Sequence, residues 1–255
     1  MFRQALYALP HDGILPQGGD ACTLLLWYNA ECWEPIMQDS SAFVRPYVTG
    51  DRAAVFRITA DTAFFGAPVE TFIDDRRLLQ DIFAAYYVDC EPEYAWVAES
   101  AGAVVGYIMA SPGGARAARD RRRTALRAIP GLLTFRYRIG RLSLRYAARA
   151  AVAVMRGEYP HADLRDYPAE LHINLAEAAR GLGLGRRLLE ACLARVTELG
   201  SPGIHLNTTS LNVAAIILYE KLGFRVLGRR RTRLWEPWLS GVTVENLVYG
   251  KRLAR

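Results

Sequence analysis

Three glycines at alternating positions form the part of this sequence whose chemistry is easiest to read. Gly181, Gly183 and Gly185 lie within 180–186, between a predicted strand and a predicted helix. Glycine lets a backbone turn tightly and point several N–H groups at one place. At the N-terminus of a helix, those groups and the helix dipole favour an anion. The segment therefore predicts a phosphate or pyrophosphate site, with a ligand-free glycine-rich turn as the alternative.

The spacing of these glycines excludes two common nucleotide-binding motifs. A P-loop would continue into Gly-Lys-Ser/Thr, and no such run follows Gly185. A dinucleotide-binding fingerprint that began at Gly181 would need a third glycine at the position of Arg186. The sequence thus indicates an anion site of another kind.

The strand predicted before this loop carries polar residues that could move a proton. Glu170, His172 and Asn174 alternate with the apolar residues of 170–175, so a strand places all three on one face. Because imidazole titrates near neutral pH, His172 can take a proton from an ammonium group. His172 and Glu170 are therefore candidate general bases. A purely structural His172, and a base acting through water, are the alternatives.

A second motif follows one predicted strand later. The pattern N-x-x-A-x-x-x-Y-E-K-L-G-F spans 212–224, where Asn212 suits a helix N-cap and Gly223 suits a helix end. Together with R-x-x-G-x-G at 180–185, this motif resembles the GNAT superfamily of acyl-CoA-dependent N-acetyltransferases. The resemblance covers about 42–111 and 168–252.

The resemblance implies a role for each matching position. Backbone N–H groups of 181–186 would hold the pyrophosphate of acetyl-CoA, which serves as cosubstrate, and no metal is expected. The backbone of Ile173 and Leu175 would pair with the pantetheine arm, and the Leu175 N–H would polarise the thioester carbonyl. Asn212 would contact the pantetheine or phosphate region. Tyr219 would protonate the departing thiolate, with packing beneath the sheet as its alternative role. The implied acetyl-CoA-binding residues are Ile173, Asn174, Leu175, Arg180, Gly181, Leu182, Gly183, Leu184, Gly185, Arg186, Asn212 and Tyr219.

A narrower resemblance bears on whether the chain is active. The runs E-L-H-I-N-L at 170–175 and S-P-G-I-H-L at 201–206 are similar to the acetyltransferase-like domain attached to O-GlcNAc hydrolases. That group also carries a long insertion before this strand, and acetyl transfer by it is in doubt. The sequence thus predicts an N-acetyltransferase that moves an acetyl group to a primary amine by direct attack. The alternative is a catalytically silent acetyl-CoA- or protein-binding module.

The implied fold is α/β (α+β), a mixed and mostly antiparallel central sheet flanked by helices. Pro46 favours an edge position for the first strand, since proline donates no ladder hydrogen bond. Ala101-Gly102 predicts a tight hairpin. The predicted strands are 43–47, 94–100, 104–111, 170–175, 203–207, 224–229 and 242–252. The predicted helices are 49–60, 70–87, 132–156, 184–199 and 212–222.

Charge is distributed unevenly along the chain. The sequence has 32 Lys and Arg against 26 Asp and Glu, and 30 of the 32 are Arg. Residues 113–156 carry 12 Arg and a single acid, Asp120, whereas 1–112 has a net charge of −9. The predicted helix at 132–156 has a basic stripe and an apolar stripe. They consist of Arg138, Arg141, Arg145 and Arg149, and of Leu132, Phe135, Ile139, Leu142 and Tyr146.

Four roles are open for this basic segment. It could be a lid whose arginines attract an acidic or phosphorylated acceptor. It could lie on an anionic membrane surface, or contact nucleic acid. The favoured role is a solvated helical face whose apolar stripe docks on the domain. Because the excess charge is confined to one segment, the composition argues against nucleic acid as a partner of the whole fold.

The remaining expectations concern organisation and location. Residues 1–41 are predicted to be an N-terminal extension, and 42–255 a single domain with a helical insertion at about 113–167. The four cysteines lack C-x-x-C spacing, which favours free thiols over a zinc site. No apolar run is long enough to span a membrane, so a cytoplasmic location is expected. The strand near 242–252 is a candidate for pairing in a homodimer.

Overall fold

A seven-stranded sheet organises the chain, and the computed structural model describes it within residues 42–253. The predicted extension at 1–41 lies outside the described residues. The strand order is β1-β2-β3-β4-β5-β7-β6, and every neighbouring pair is antiparallel except β4 and β5. This is the predicted mixed, mostly antiparallel sheet. The strands are β1 (Phe43–Pro46), β2 (Ala95–Ser100), β3 (Ala103–Ser111), β4 (Ala169–Leu175), β5 (Gly203–Thr209), β6 (Arg225–Thr232) and β7 (Val244–Arg252).

Helices cover both faces of the sheet. The α-helices are α1 (Arg52–Asp61), α2 (Arg76–Leu79), α3 (Ala85–Cys90), α4 (Gly114–Leu126), α5 (Ala128–Leu133), α6 (Arg141–Met155), α7 (Leu184–Glu198) and α8 (Val213–Lys221). A π-helical stretch, Gln80–Ala84, joins α2 to α3. Short 3-10 turns lie at Thr49–Asp51, Val69–Thr71, Pro92–Tyr94 and Glu177–Ala179. None of the described helices is long and apolar enough to cross a bilayer.

Two local predictions for the first strands are confirmed. Strand β1, which ends at Pro46, occupies one edge of the sheet. Ala101 and Gly102 both have positive φ, 49° and 74°, and connect β2 directly to β3. Positive φ at both central residues gives a turn whose twist matches that of the paired strands. Short-range signals therefore determine this end of the sheet.

The core on one face of the sheet is built by α7. Its buried residues recur at helical spacing and include Leu184, Leu188, Cys192 and Val196. A second core on the opposite face joins α1, the π-helical stretch and α3 to β2 and β3. Burial raises the pKa of the Cys192 thiol to about 12, so this free cysteine is an apolar core residue. Cys90 is also a free thiol, and Cys22 and Cys32 lie outside the described residues.

Two predicted helices begin later than expected. The helix predicted at 70–87 begins at Arg76 and continues through the π-helical stretch to Cys90, because the Asp75 carboxylate accepts the Arg77 N–H and caps it. The helix predicted at 132–156 begins at Arg141. The segment before it leaves helical geometry, and Phe135 has a φ of 56°. Arg138 and Phe135 therefore lie on a loop, and the two predicted stripes do not form as continuous helix faces.

The predicted role of the last strand in a dimer is wrong. Strand β7 pairs with β5 along one side and with β6 along the other. Both of its hydrogen-bonding edges are therefore used inside the sheet. Strand β6 occupies the edge instead.

Candidate active site

A cleft of about 510 Å³ opens where β4 and β5 separate. Its walls are the end of β4, the glycine-rich turn that begins α7, the first turns of α8, and the Phe65-Gly66 turn after α1. It brings together most of the predicted acetyl-CoA-binding residues, and Leu182, Glu170 and His172 do not line it. The predicted residues that line it are Ile173, Asn174, Leu175, Arg180, Gly181, Gly183, Leu184, Gly185, Arg186, Asn212 and Tyr219.

The glycine-rich turn has the geometry that its sequence predicts. Gly181 and Gly183 have φ of 83° and 72°, a conformation that side-chain-bearing residues adopt at a cost. Gly183 is the N-cap residue of α7, so the free N–H groups of the first turn face the cleft region. A Cβ at Gly185 would lie 3.0 Å from Leu175 Cδ1, which shows how closely α7 approaches β4. The turn therefore has both the backbone freedom and the helix N-terminus that an anion site needs.

An unpaired strand edge forms another wall of the cleft. Within the described sheet, β4 pairs with β5 at Ala169 and Glu170 and then diverges. The Ala176 N–H donates to Val105 O at 2.8 Å, so even-numbered backbone groups of this stretch face β3. By the alternation of a strand, the N–H and C=O groups of Ile173 and Leu175 face the gap. Those groups can bind an extended ligand as an added strand would.

The two residues of the second motif contribute to the opposite wall. Asn212 is the N-cap residue of α8, but its side chain donates to Thr208 Oγ1 at 3.0 Å and makes no capping bond. Tyr219 is 5% exposed and packs in the core beneath the sheet while its side chain lines the cleft. Burial raises the pKa of its phenol well above the ordinary value. Tyr219 therefore keeps its proton at neutral pH, as a general acid must.

The two candidate bases lie on the face of β4 that does not pack against α7. There they form a polar cluster with two residues from distant segments. His172 Nε2 is 2.9 Å from Tyr87 Oη and 3.5 Å from Glu170 Oε1. Tyr87 Oη donates to Glu170 Oε2 at 3.4 Å. Arg121 Nη1 binds the same carboxylate oxygen at 2.7 Å, and its guanidinium lies over the rings of Tyr86 and Tyr87. The insertion thus contributes a side chain to this cluster through Arg121.

Charge in this cluster favours an ionised Glu170. Burial raises its pKa, but the hydrogen bond and charge of His172 and the charge of Arg121 more than offset it and bring the pKa below its ordinary value. Burial and the Glu170 charge raise the pKa of Tyr87. Because the Tyr87 hydroxyl donates to Glu170, its oxygen can accept a hydrogen bond from the Nε2–H of His172. A neutral imidazole then carries its lone pair on Nδ1.

The third polar residue of β4 is part of a separate network. Asn174 Nδ2 donates to Tyr107 Oη at 2.9 Å, and Tyr107 Oη is 2.8 Å from Thr59 Oγ1. This chain of hydrogen bonds fixes β4 to β3 and α1. Asn174 thus lines the cleft with its amide already bound. His205, on β5, has Nδ1 2.8 Å from the Tyr167 carbonyl oxygen, which is a structural role.

Several site residues had no signal in the sequence that could single them out. Arg121 is one of 12 arginines within 113–156, and its contact with β4 joins residues 49 positions apart. Tyr87 is the last residue of a predicted helix whose apolar face explains it equally well. Gly66 has a φ of 95°, and a Cβ there would lie 2.7 Å from Arg180 Nη2. The Phe65-Gly66 turn therefore contributes to the cleft through a backbone contact.

The four arginines of the predicted basic stripe lie in two different environments. Arg145 stacks on Trp238, with 5.4 Å from its guanidinium carbon to the ring centroid. Arg149 donates to Glu236 at 3.0 Å and to the Arg233 carbonyl. These two arginines therefore bind the connection between β6 and β7. Arg138 and Arg141 are exposed.

Comparison with known proteins identifies the family. The family model for the acetyltransferase (GNAT) family matches residues 150–224. The crystal structure of SsHAT is 30% identical, covers 84% of this chain and 100% of its own, and superposes with a TM-score of 0.64. This chain belongs to the GNAT acetyltransferase family. The resemblance read from the two motifs is thereby confirmed at the level of the superfamily, and the narrower resemblance to O-GlcNAc hydrolases gains no support.

Two further GNAT structures share the fold at lower identity. A GCN5-related N-acetyltransferase from Kribbella flavida is 19% identical over 84% of this chain and 98% of its own, with a TM-score of 0.51. A phosphinothricin acetyltransferase from Sinorhizobium meliloti, solved in complex with acetyl-CoA, is 18% identical over 84% and 89%, with a TM-score of 0.50. GNAT proteins of this fold thus bind acetyl-CoA as cosubstrate.

Proposed function

We propose that this chain is an acetyl-CoA-dependent N-acetyltransferase that transfers the acetyl group to a primary amine by direct attack. One observation carries the proposal. The unpaired edge of β4 at Ile173 and Leu175 lies in the same cleft as the glycine-rich turn that begins α7. Acetyl-CoA has an extended amide-containing arm joined to a pyrophosphate. An open strand edge beside a helix N-terminus is complementary to both parts of that molecule.

The roles of the cleft residues follow from this placement. N–H groups of 181–186 would hold the pyrophosphate, and Asn212 would contact the adjoining arm. The amine nitrogen attacks the thioester carbon, and the Leu175 N–H stabilises the negative charge that develops on the carbonyl oxygen. The C–S bond then breaks, and Tyr219 gives its proton to the departing thiolate sulfur. The attacking nitrogen loses one proton and remains bonded to the acetyl group.

The residue that takes the proton is proposed from the polar cluster on β4. His172 is the candidate base, and Glu170 would orient it and stabilise its charged form. A base acting through water is the alternative, because neither residue lines the cleft. We further propose that 42–255 form one catalytic domain that works in the cytoplasm, where the free thiols of Cys90 and Cys192 would stay reduced.

The second candidate function is a catalytically silent acetyl-CoA- or protein-binding module. A specific observation favours it. Glu170 and His172 are bound to each other, to Tyr87 and to Arg121, so both candidate bases already have partners.

Isothermal titration with acetyl-CoA tests the binding step. We expect saturable binding at or below tens of micromolar, roughly the range of KM values common for enzymes. Gly183→Ala should weaken it about fivefold, since alanine is strained at a φ of 72°. Gly50→Ala is the matched control, because Gly50 has an ordinary φ and no atom within 4 Å of an added Cβ. Absence of binding at these concentrations would rule out the proposal.

Release of free CoA in the presence of a panel of amines separates the two functions. An N-acetyltransferase releases CoA faster when a suitable amine is added, and mass spectrometry then finds the acetylated amine. If acetyl-CoA binds but no amine, peptide or protein N-terminus accelerates CoA release, the silent module is the correct function.

A further inference from the structure

The insertion contains a helical segment whose exposed and buried sides are the reverse of the usual pattern. Helices α4 and α5 bury Thr124 and Ala128 against the domain. Gly131 is also buried, where an added Cβ would lie 2.5 Å from the Tyr137 ring. Three large apolar residues of the same segment face outward. Leu126, Ile129 and Leu132 recur every third residue and are 48%, 45% and 40% exposed.

The exposed apolar row continues into the loop after α5. Phe135 is 91% exposed and has a φ of 56°, a left-handed conformation that bulky residues adopt at a cost. Ile139, at the end of the same loop, is 41% exposed. We call Leu126, Ile129, Leu132, Phe135 and Ile139 the apolar tip. Five large apolar side chains this exposed within residues 126–139 favour a surface that contacts something else.

Arginines border the apolar tip, and three of them lack a carboxylate partner within residues 42–253. Arg122, Arg127 and Arg138 are exposed and form no ion pair there. By contrast, Arg136 binds Asp81 at 3.2 Å and Arg123 lies 3.6 Å from Asp120. Positive charges without internal partners beside exposed apolar side chains favour an anionic apolar partner.

We propose that the apolar tip docks on the surface of a bilayer that contains anionic lipids. Its side chains would enter the region between headgroups and acyl chains, while the bordering arginines stay at the level of the lipid phosphates. A bilayer fits better than a folded acidic protein, because a stable protein interface needs about 20–30 residues on each side with complementary shape. Five apolar side chains suffice at a bilayer, which adapts to their shape. The cleft residues take no part, so this inference stands apart from the proposed function.

Co-sedimentation of the full-length protein with lipid vesicles tests the proposal. We expect binding to phosphatidylcholine vesicles with roughly one-third phosphatidylglycerol and much weaker binding to phosphatidylcholine alone. Binding should fall as salt rises from low to physiological concentration. The double substitution Phe135→Ser and Ile139→Ser should weaken binding at least about tenfold, since it removes inserted apolar area. Arg122→Glu with Arg127→Glu should reduce binding most at low salt.

Leu164→Ser is the matched control. Leu164 is 63% exposed but lies outside the apolar tip, so its substitution should leave vesicle binding unchanged. Circular dichroism with thermal unfolding establishes that each variant is folded. The proposal is overturned if the wild-type protein does not bind anionic vesicles, or binds neutral ones equally. It is also overturned if the double substitution leaves binding intact, or if its main effect is to break a dimer seen by light scattering.

Discussion

The contacts that build the cleft differ in kind from the contacts that fix the insertion in place. The cleft is built mainly within 169–224, where β4, the glycine-rich turn, α7, β5 and α8 follow one another. The insertion at 112–168 is fixed by side chains that are far away in sequence. Three of those distant side chains are aspartates from the acidic first half of the chain, and others come from β4, β5 and the region of β6 and β7.

Three aspartates near α2 show how the insertion is anchored. Asp74 Oδ2 accepts the N–H groups of Gly140 and Ser143 at 2.9 and 2.8 Å, and so caps α6 from another element. Asp75 accepts the Arg138 N–H at 3.1 Å. Asp81 accepts the Tyr137 hydroxyl at 2.7 Å.

The uneven charge of the sequence therefore has a structural role. Acidic groups of the first half bind backbone N–H groups and a few side chains of the basic insertion. Arg121 then extends this contact to Glu170 on β4. The arginines that find no carboxylate within residues 42–253 include three of those that border the apolar tip.

Replacing Tyr219 by Phe should give the largest effect on the cleft. We expect kcat to fall about 100-fold with little change in acetyl-CoA affinity, because the substitution removes the proton donor and keeps the ring. Tyr146→Phe removes a hydroxyl from a partly buried ring outside the cleft and should leave kcat unchanged. Steady-state kinetics would measure both, and an unchanged rate in Tyr219→Phe would contradict its role as acid.

Replacing Arg121 by Met tests whether the insertion contributes to catalysis. The Arg121 charge helps to lower the pKa of Glu170, so its loss raises that pKa and protonates Glu170 at higher pH. If ionised Glu170 holds His172, the acid side of the kcat/KM profile moves to higher pH, and the rate falls about tenfold. The neighbouring Arg122→Met is the control. Superimposable pH profiles for Arg121→Met and wild type would assign Arg121 a purely structural role.

Replacing Asp74 by Ala should affect stability and leave the cleft unchanged. Loss of the cap on α6 should lower the free energy of unfolding by about 1–2 kcal/mol in urea titrations. Hydrogen bonds from Ser143 lower the pKa of Asp74, so its contribution is present at neutral pH and is lost as the pH falls below about 4. As the pH is lowered, the free energy of unfolding of the variant should therefore fall less than that of wild type.

The control for this substitution is Asp163→Ala, which removes a carboxylate paired locally with Arg165 on the surface. Its effect on the free energy of unfolding should be smaller than that of Asp74→Ala, because an exposed ion pair contributes little to stability. A tenfold change in acetyl-CoA affinity in Asp74→Ala would show that the insertion and the cleft are energetically coupled. That result would contradict the separation of the two regions.

The difference between local and long-range contacts also explains which features the sequence could predict. The hairpin at Ala101-Gly102, the edge position of Pro46 and the turn at Gly181 and Gly183 depend on backbone preferences of one or two residues. These local requirements are visible in the sequence, and all three predictions are confirmed. The start of α6 depends on Asp74, 66 positions before Gly140, and no local pattern carries that information.

The polar residues of the site show the same difference between local and long-range information. The alternation of 170–175 predicted which side chains share a face, since strand geometry is local. It could not predict that Glu170 and His172 meet Tyr87 and Arg121, because those contacts depend on how α3 and α4 pack. The error about β7 has the same origin, as strand order is a property of the whole sheet.

The gap between β4 and β5 makes the sheet structurally incomplete in its middle. Along the sheet, β1–β4 and β5–β7 are joined by two residue pairs, Ala169 with Ile204 and Glu170 with His205. A molecule that hydrogen-bonds to the open edge of β4 would occupy the gap between β4 and β5 and add contacts between the two halves of the sheet. Ligand present at 100 times its Kd would then add about 2.7 kcal/mol to the stability of the fold. The lifetime of the protein against heat and proteases would thus follow the supply of its own cosubstrate.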